Sequence, residues 1–389
     1  MSSEKKAEDT EKKPRRVRGE GSVYQRKSDG RWVASIPLGN GKKKTLYFET
    51  RKEAEHAKRN ALNELEKGQL ATSPNQTLKA YLEYWLGIQQ TVLKAGTYSN
   101  YHQFIAHFII PELGHVRLQK LTGDMFQSLY AKLKKEGISP HTIRLVHAII
   151  RKALADALKW KKLSFNPVKD AVPPKADKRE MTVLDLEQAK ILIEYAKDTK
   201  YECLLQVALL GLRRGELLGL KWQDIDFEKG ELKIQRSLSY IHNPDTGHYE
   251  FVEHEPKTAT SRRIIHLPRF VIDALKKHRE MQFQKRESAS QWKDRDLVFS
   301  NRKGGYMRPA HIFIDFKQLL KQAGLPEIRF HDLRHSAASI WLALGINPKV
   351  IQELLGHSNI RVTLDVYSHV LPTMHKEAMD SLDASFRKA

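Results

Sequence analysis

Between positions 330 and 369 the sequence crowds imidazoles, a guanidinium and a phenol into one stretch. Phe330-His331-Asp332-Leu333-Arg334-His335 opens it, Leu354-Leu355-Gly356-His357 sits in the middle, and Thr363-Leu364-Asp365-Val366-Tyr367-Ser368-His369 closes it. Cations and hydrogen-bond donors of this kind suit attack on a phosphate. A phosphodiester repels an incoming oxyanion, and its transition state gathers charge on the equatorial oxygens, where fixed donors act most strongly. Arginine serves there better than lysine, because its planar fork clamps two oxygens at once.

Two segments further upstream carry cations of the same kind. In Gly211-Leu212-Arg213-Arg214-Gly215-Glu216-Leu217-Leu218, Arg213 and Glu216 are three apart, so on a helical turn the carboxylate can orient the guanidinium. Lys257 stands in Glu255-Pro256-Lys257-Thr258, in a turn ahead of a predicted strand. Taken one at a time, each residue has an ordinary explanation. Arg213 with Glu216 is a structural ion pair, Lys257 a surface charge, and His331 with Arg334 a helix-face pair at a core edge. His357, after Gly356, complements a helix end, and Tyr367 belongs to an amphipathic core segment. No cluster of carboxylates suited to Mg²⁺ and no P-loop accompanies them, so neither a metal nor a nucleotide cofactor is expected.

The elements that must position these side chains follow from composition and pattern. A chain of 389 residues exceeds what a single core usually serves, about 250 residues, so several modules are expected. The 67 Lys and Arg against 46 Asp and Glu leave a net charge of +21, which favours a polyanionic partner, most often nucleic acid. The one cysteine, Cys203, excludes a disulfide framework and a multi-cysteine zinc site, and it reads as a small buried hydrophobe in a reducing compartment. With no apolar leader at the N-terminus and no apolar run long enough to span a bilayer, a cytoplasmic location is expected.

Residues 1–18 read as a disordered basic tail. Residues 19–70 read as a three-stranded antiparallel sheet, with turns at Ser28-Asp29-Gly30 and Gly39-Asn40-Gly41, followed by a helix opened by a Thr50–Glu53 capping box. Arg26, Arg31, Lys43 and Lys44 on this unit are candidate DNA contacts, as a β-ribbon reader would use them. Residues 76–170 read as a four-helix module. Its second helix stops at Pro111, and its fourth is capped by Ser139 with Pro140 at the first position. A Pro-rich linker spans 171–182. From 183 to 389 a mainly helical domain carries a small inserted sheet, with strands near 231–237, 248–253 and 262–266, and an apolar helix near 202–210. The fold class is thus multidomain and mainly α, with small antiparallel sheets.

Occurring together in this order, Arg213, Lys257, His331, Arg334, His357 and Tyr367 resemble the signature of the tyrosine site-specific recombinases, the phage integrase family. Its arginine box corresponds to Gly211–Glu216, its hairpin lysine to Lys257, its His-x-x-Arg to His331 and Arg334, its Leu-Gly-His to Leu355–His357, and its terminal tyrosine to Tyr367. The resemblance spans the chain but is specific from about position 183 onward, and the 19–70 unit resembles the family's arm-binding domain. Leu210 departs from the threonine often found before the glycine.

The resemblance implies an integrase of a phage or mobile element. Tyr367 would be the nucleophile, forming a 3′-phosphotyrosyl bond and releasing a 5′-hydroxyl. Lys257 would be the general acid and Glu216 a supporting residue, while His331 and His357 would donate to the phosphate oxygens, or His331 would take the tyrosine proton, with pKa values near neutrality permitting either. It further implies double-stranded DNA attachment sites as partners and a homotetramer on DNA. Whether an excisionase or a host DNA-bending protein takes part stays open. A topoisomerase of type IB chemistry, relaxing supercoils, and a non-catalytic architectural DNA-binding protein are the alternatives.

Overall fold

Three short strands are the first elements among the described residues, and the expected turn at Gly39-Asn40-Gly41 lies partly outside them. The computed structural model describes residues 20–39, 42–66, 76–176, 182–255 and 262–357, with positions 379, 383, 386 and 387. The chain divides into two compact units, Met1–Asp177 and Lys178–Ala389.

In the first unit β1 (Ser22–Gln25), β2 (Trp32–Gly39) and β3 (Lys42–Phe48) form an antiparallel sheet in that order. Gly30 takes the left-handed conformation that the β1–β2 turn needs, at φ +71°. Helix α1 (Arg51–Glu66) starts with the predicted reciprocal cap. The Glu53 N–H donates to Thr50 Oγ1 at 3.3 Å, and the Thr50 N–H to Glu53 at 3.4 Å. Its small residues Ala54 and Ala61 pack on Ala34 and Ile36 of β2, so helix and sheet approach closely.

The helical module comprises α2 (Leu78–Val92), α3 (Ala95–Phe104), α4 (Ile110–Leu113), α5 (Gly123–Lys135) and α6 (Pro140–Lys159). Thr77 and Ser139 cap α2 and α6 through their hydroxyls. Tyr81 and Trp85 of α2 anchor the core against α6, where the Tyr81 hydroxyl donates to the Ala153 carbonyl at 2.5 Å and the Trp85 indole to Asp156 at 2.9 Å. The predicted stop at Pro111 is corrected. A π-turn over Ile105–Ile109 ends with the Ile110 N–H reaching back to the Ile105 carbonyl. Pro111 then lies in the first turn of α4, where its missing N–H costs nothing, so the chain continues through it.

In the second unit α7 (Leu186–Ala196), opened by the Asp185–Gln188 capping box, leads to α8 (Glu202–Ala208) and α9 (Arg214–Leu218). Strands β4 (Ile225–Asp226), β5 (Glu231–Ile234), β6 (Ser237–His242), β7 (Tyr249–His254) and β8 (Arg263–His266) precede α10 (Arg269–Glu287), α11 (Pro309–Gln322), α12 (Asp332–Ala343) and α13 (Pro348–Leu355). The strand expected at 231–237 is two strands. β5 pairs with β4 and β8, whereas β6 pairs with β7 in a separate hairpin. Leu232 and Ile234 enter the core, and Arg236 then turns to an ion pair with the buried carboxylate of Asp224, which breaks the alternation. The helix expected to reach Leu210 ends at Ala208, because the chain must turn to bring Gly211 to the site.

Most elements of this unit share one core, and Cys203 is buried in it as expected. A smaller cluster of Ala338 and Leu342 with Ile351 and Leu355 fastens α13 to α12. Among the described residues no helix is long and apolar enough to cross a membrane.

Candidate active site

A helix leaves its last carbonyls without helical partners, and at the end of α13 each of these finds a donor. Gly356 adopts the left-handed conformation at φ +65° and reverses the chain. The N–H of His357 then returns to the Gln352 carbonyl and that of Gly356 to the Glu353 carbonyl, both at 3.0 Å. The next three carbonyls receive arginines. Arg263 donates Nε to Leu354 at 2.6 Å, Arg334 donates Nη2 to Leu355 at 2.6 Å, and Arg213 donates Nη2 to Gly356 at 2.9 Å. Three guanidiniums from three elements thus meet on consecutive peptides, at the helix end whose dipole carries partial negative charge.

Arg334 is buried and also donates Nη1 to the Gly211 carbonyl at 2.6 Å. Gly211 has φ +77°, and a Cβ there would come within 2.6 Å of the Leu355 side chain. The glycine of the arginine box is therefore required by backbone and by packing. Glu216, 3% exposed, is the second hub. Its Oε1 accepts from Arg213 Nη1 at 2.7 Å, and its Oε2 from the Arg213 N–H at 2.9 Å and from Arg263 Nη2 at 3.0 Å. Burial alone would raise its pKa. The Arg263 charge and the hydrogen bonds from both arginines outweigh that and hold the carboxyl below the usual range.

His357 extends this cluster. Loss of hydration, then the charges of Arg334 and Arg213, lower its pKa to about 4. His331, at the start of α12, is more open to solvent and stands edge-on to His335 at 5.5 Å. Partial desolvation, His335 and Arg334 push it the same way, to about 4, against the pull of Asp332. These values correct the expectation of pKa values near neutrality, which took no account of burial and, after it, of the neighbouring cations. At pH 7 both rings are neutral, each with one donor and one acceptor nitrogen.

A dependence of stability on pH follows. The unfolded histidines protonate near 6.5, so between about 6.5 and about 4 the unfolded state binds more protons than the folded one. The DNA-free protein is expected to lose thermal stability as pH falls through that window and to show no contribution from these groups above it. Calorimetry from pH 7 to 4.5 checks this. His331→Gln combined with His357→Gln should flatten the slope in part, and an unchanged slope would reject the assignment.

Of the residues singled out in the sequence, Arg213, Glu216, Arg334 and His357 come together at the end of α13, with His331 on the first turn of the helix that holds Arg334. Lys257 and Tyr367 lie outside the described residues. On either side of the segment with Lys257, the exposed side chains of Arg262 and Glu255 form an ion pair at 2.6 Å.

Sequence reasoning missed Arg263, His335 beside His331, and Arg214, whose guanidinium lies 5.3 Å from the centre of the Phe313 ring. In the first unit Arg26 lies over Tyr47 at 5.6 Å and donates to Ser28 at 2.7 Å, and Arg31 faces Asp29 at 3.3 Å. Lys43 is exposed and Lys44 half-buried on β3. No group of three His, Cys, Asp or Glu arranged to hold a metal ion occurs among the described residues.

The architecture has close counterparts. The Tn1549 transposon integrase in complex with a circular intermediate DNA superposes with a TM-score of 0.65 at 21% identity, covering 79% of this chain and 100% of that one. A lambda integrase dimer bound to a COC′ core site gives a TM-score of 0.56 at 20% identity, covering 92% and 96%. The fold is therefore that of DNA integrases.

Residues 182–374 match the profile described as "Phage integrase family", and 77–133 the one described as "Phage integrase, N-terminal SAM-like domain". A "Tyrosine recombinase XerC-like" protein of Caldanaerobacter subterraneus subsp. tengcongensis is 31% identical over 365 residues, which cover 89% of this chain and 93% of that protein. An integrase of Saccharopolyspora erythraea is 26% identical, covering 97% and 99%. The chain belongs to the phage integrase family of tyrosine recombinases, and it is an enzyme that cleaves and rejoins DNA strands.

Proposed function

We propose that Arg213 and Arg334 clamp the scissile phosphate, that His331 and His357 contact the same oxygens or His331 takes the proton of the nucleophile, that Lys257 protonates the leaving 5′-oxygen, and that Tyr367 attacks. The convergence of Arg213, Arg334 and His357 on the end of α13 carries this reading. The two guanidinium charges and the neutral His357 ring are in place before substrate arrives, so little reorganisation is needed when the transition state forms. An arriving phosphate would also raise the pKa of the neutral histidines, which makes His331 able to accept the tyrosine proton.

Attack by Tyr367 joins its oxygen to phosphorus and breaks the bond to the 5′-oxygen, which takes a proton from Lys257. The phosphotyrosyl bond keeps the energy of the phosphodiester, so rejoining to a second strand needs no nucleotide. An ammonium among arginines can give up a proton, whereas a guanidinium effectively cannot.

The partners are double-stranded attachment sites. The helical module and the sheet unit would each hold DNA, the latter through Arg26, Arg31, Lys43 and Lys44. Four protomers would exchange strands between two sites, a stoichiometry supported by the lambda integrase tetramer bound to a Holliday junction. Excisionase and a host DNA-bending protein are candidate accessory factors.

A nicked suicide substrate carrying the attachment site tests the assignment. The full chain is expected to form a covalent adduct with it, and Tyr367→Phe none. An adduct with Tyr367→Phe would move the nucleophile elsewhere.

A further inference from the structure

Arg263 lies on β8, opposite Ile234 of β5, and its side chain is only 7% exposed. Two parts of the phosphate-binding cluster rest on it. Its Nε–H holds the Leu354 carbonyl at 2.6 Å, one peptide before the carbonyl that Arg334 holds and two before the one that Arg213 holds. Its terminal nitrogens meet both oxygens of Glu216, at 3.4 and 3.0 Å. That same carboxylate fixes both the backbone N–H and the guanidinium of Arg213.

We propose that Arg263 is a positioning residue for DNA cleavage, which sets the direction of the Arg213 guanidinium through Glu216 and the place of His357 through the last turn of α13. The inference rests on the phosphate-clamp reading of Arg213 above. The guanidinium fork is what allows one side chain to do both. It reaches a carbonyl with Nε while its two terminal nitrogens face a carboxylate. A lysine presents a single nitrogen and cannot span both partners in a fixed plane, so it keeps the charge and loses the geometry.

Arg263 also shares its burial with Glu216. Without it, the carboxylate is held by the Arg213 backbone N–H and guanidinium alone, and the direction it gives that guanidinium is less firmly set. Small misplacements of a group that binds the transition state carry large rate penalties.

The test uses the full chain and the suicide substrate with Arg263→Lys, Arg213→Lys and the double variant. Single-turnover adduct formation, DNA affinity on an uncleaved site and thermal stability are measured for each. Arg263→Lys is expected to form adduct roughly 10- to 100-fold more slowly, with affinity within about threefold of wild type. The double variant is expected to be no slower than Arg213→Lys, because one effect runs through the other. For Arg263→Ala, added guanidinium ion is expected to restore part of the rate.

Three results overturn the inference. Arg263→Lys could cleave within twofold of wild type, its effect could multiply independently with that of Arg213→Lys, or it could be unfolded at the assay temperature, which would assign Arg263 to stability alone. If wild type forms no adduct, or Tyr367→Phe does, the underlying active-site reading fails instead. The two failures are separated by the wild-type control.

Discussion

Arg334→Ala is expected to lose DNA cleavage and a large part of the stability of the 178–389 unit together. Its guanidinium is buried and closes the carbonyls of Gly211 and Leu355, both at 2.6 Å. These carbonyls belong to segments more than 140 residues apart in sequence, so the side chain joins the arginine box to the end of α13. Hydrogen bonds to a charged group contribute about 1.5–3 kcal/mol each, and alanine leaves both acceptors without this donor in the interior. For a unit of this size a loss of several kcal/mol lowers the melting temperature by on the order of 10 °C. Calorimetry on the purified variant reads the stability, and the suicide substrate reads the cleavage. A wild-type melting temperature would show that the two bonds contribute nothing net, and residual cleavage above a few per cent would remove Arg334 from the phosphate clamp.

Arg213→Ala is expected to behave differently, although the two arginines look equivalent in sequence. The Arg213 side chain is 36% exposed, and its removal leaves Glu216 paired with Arg263 and the α13 end held by Arg334. The fold should therefore survive with little change in melting temperature. The chemistry should not survive, because a preorganised donor lost from a transition state costs about 10²- to 10³-fold in rate. Affinity for the attachment site should stay within a few-fold of wild type, since binding draws on many phosphate contacts. Gel shift with an uncleaved site and adduct formation with the suicide substrate separate the two quantities. Parallel loss of both would assign Arg213 to the fold.

The contrast between the arginines marks what the sequence could and could not disclose. The pairing of Arg213 with Glu216 was legible from its i,i+3 spacing, although the structure makes it across the start of α9, with Arg213 extended ahead of the helix and not on a helical turn. The helix end at Gly356 was legible because a glycine ahead of His357 closes an apolar run. The N-terminal sheet and its following helix were equally legible, since the Asp-Gly turn and the Thr50–Glu53 capping box act locally.

Arg263 was not. It follows Arg262, and in a strand one of two neighbours faces inward, but Ile264 and Ile265 give no sign of which. The structure buries Ile265 and leaves Ile264 half exposed, and Arg263 shares the face of Ile265. The depressed histidine pKa values were hidden for a related reason, because they depend first on burial, which only the fold sets, and for His357 also on Arg334 and Arg213 brought from elsewhere in the chain. The π-turn at Ile105–Ile109 escaped because the spacing of those two isoleucines fits an ordinary helix equally well.

The three arginines at the end of α13 grip peptide carbonyls, and a carbonyl is the same atom whatever side chain its residue bears. Leu354 and Leu355 can be exchanged without erasing the bonds from Arg263 and Arg334, so their side chains are answerable to packing, while Gly356 is answerable to its left-handed backbone. The number of residues in α13 is a different matter. One residue more or fewer would rotate the helix end by about 100°, turning all three carbonyls away from their donors in a single step. What this part of the molecule must conserve is a length, and families that diversify by substitution can keep it while families that diversify by insertion cannot.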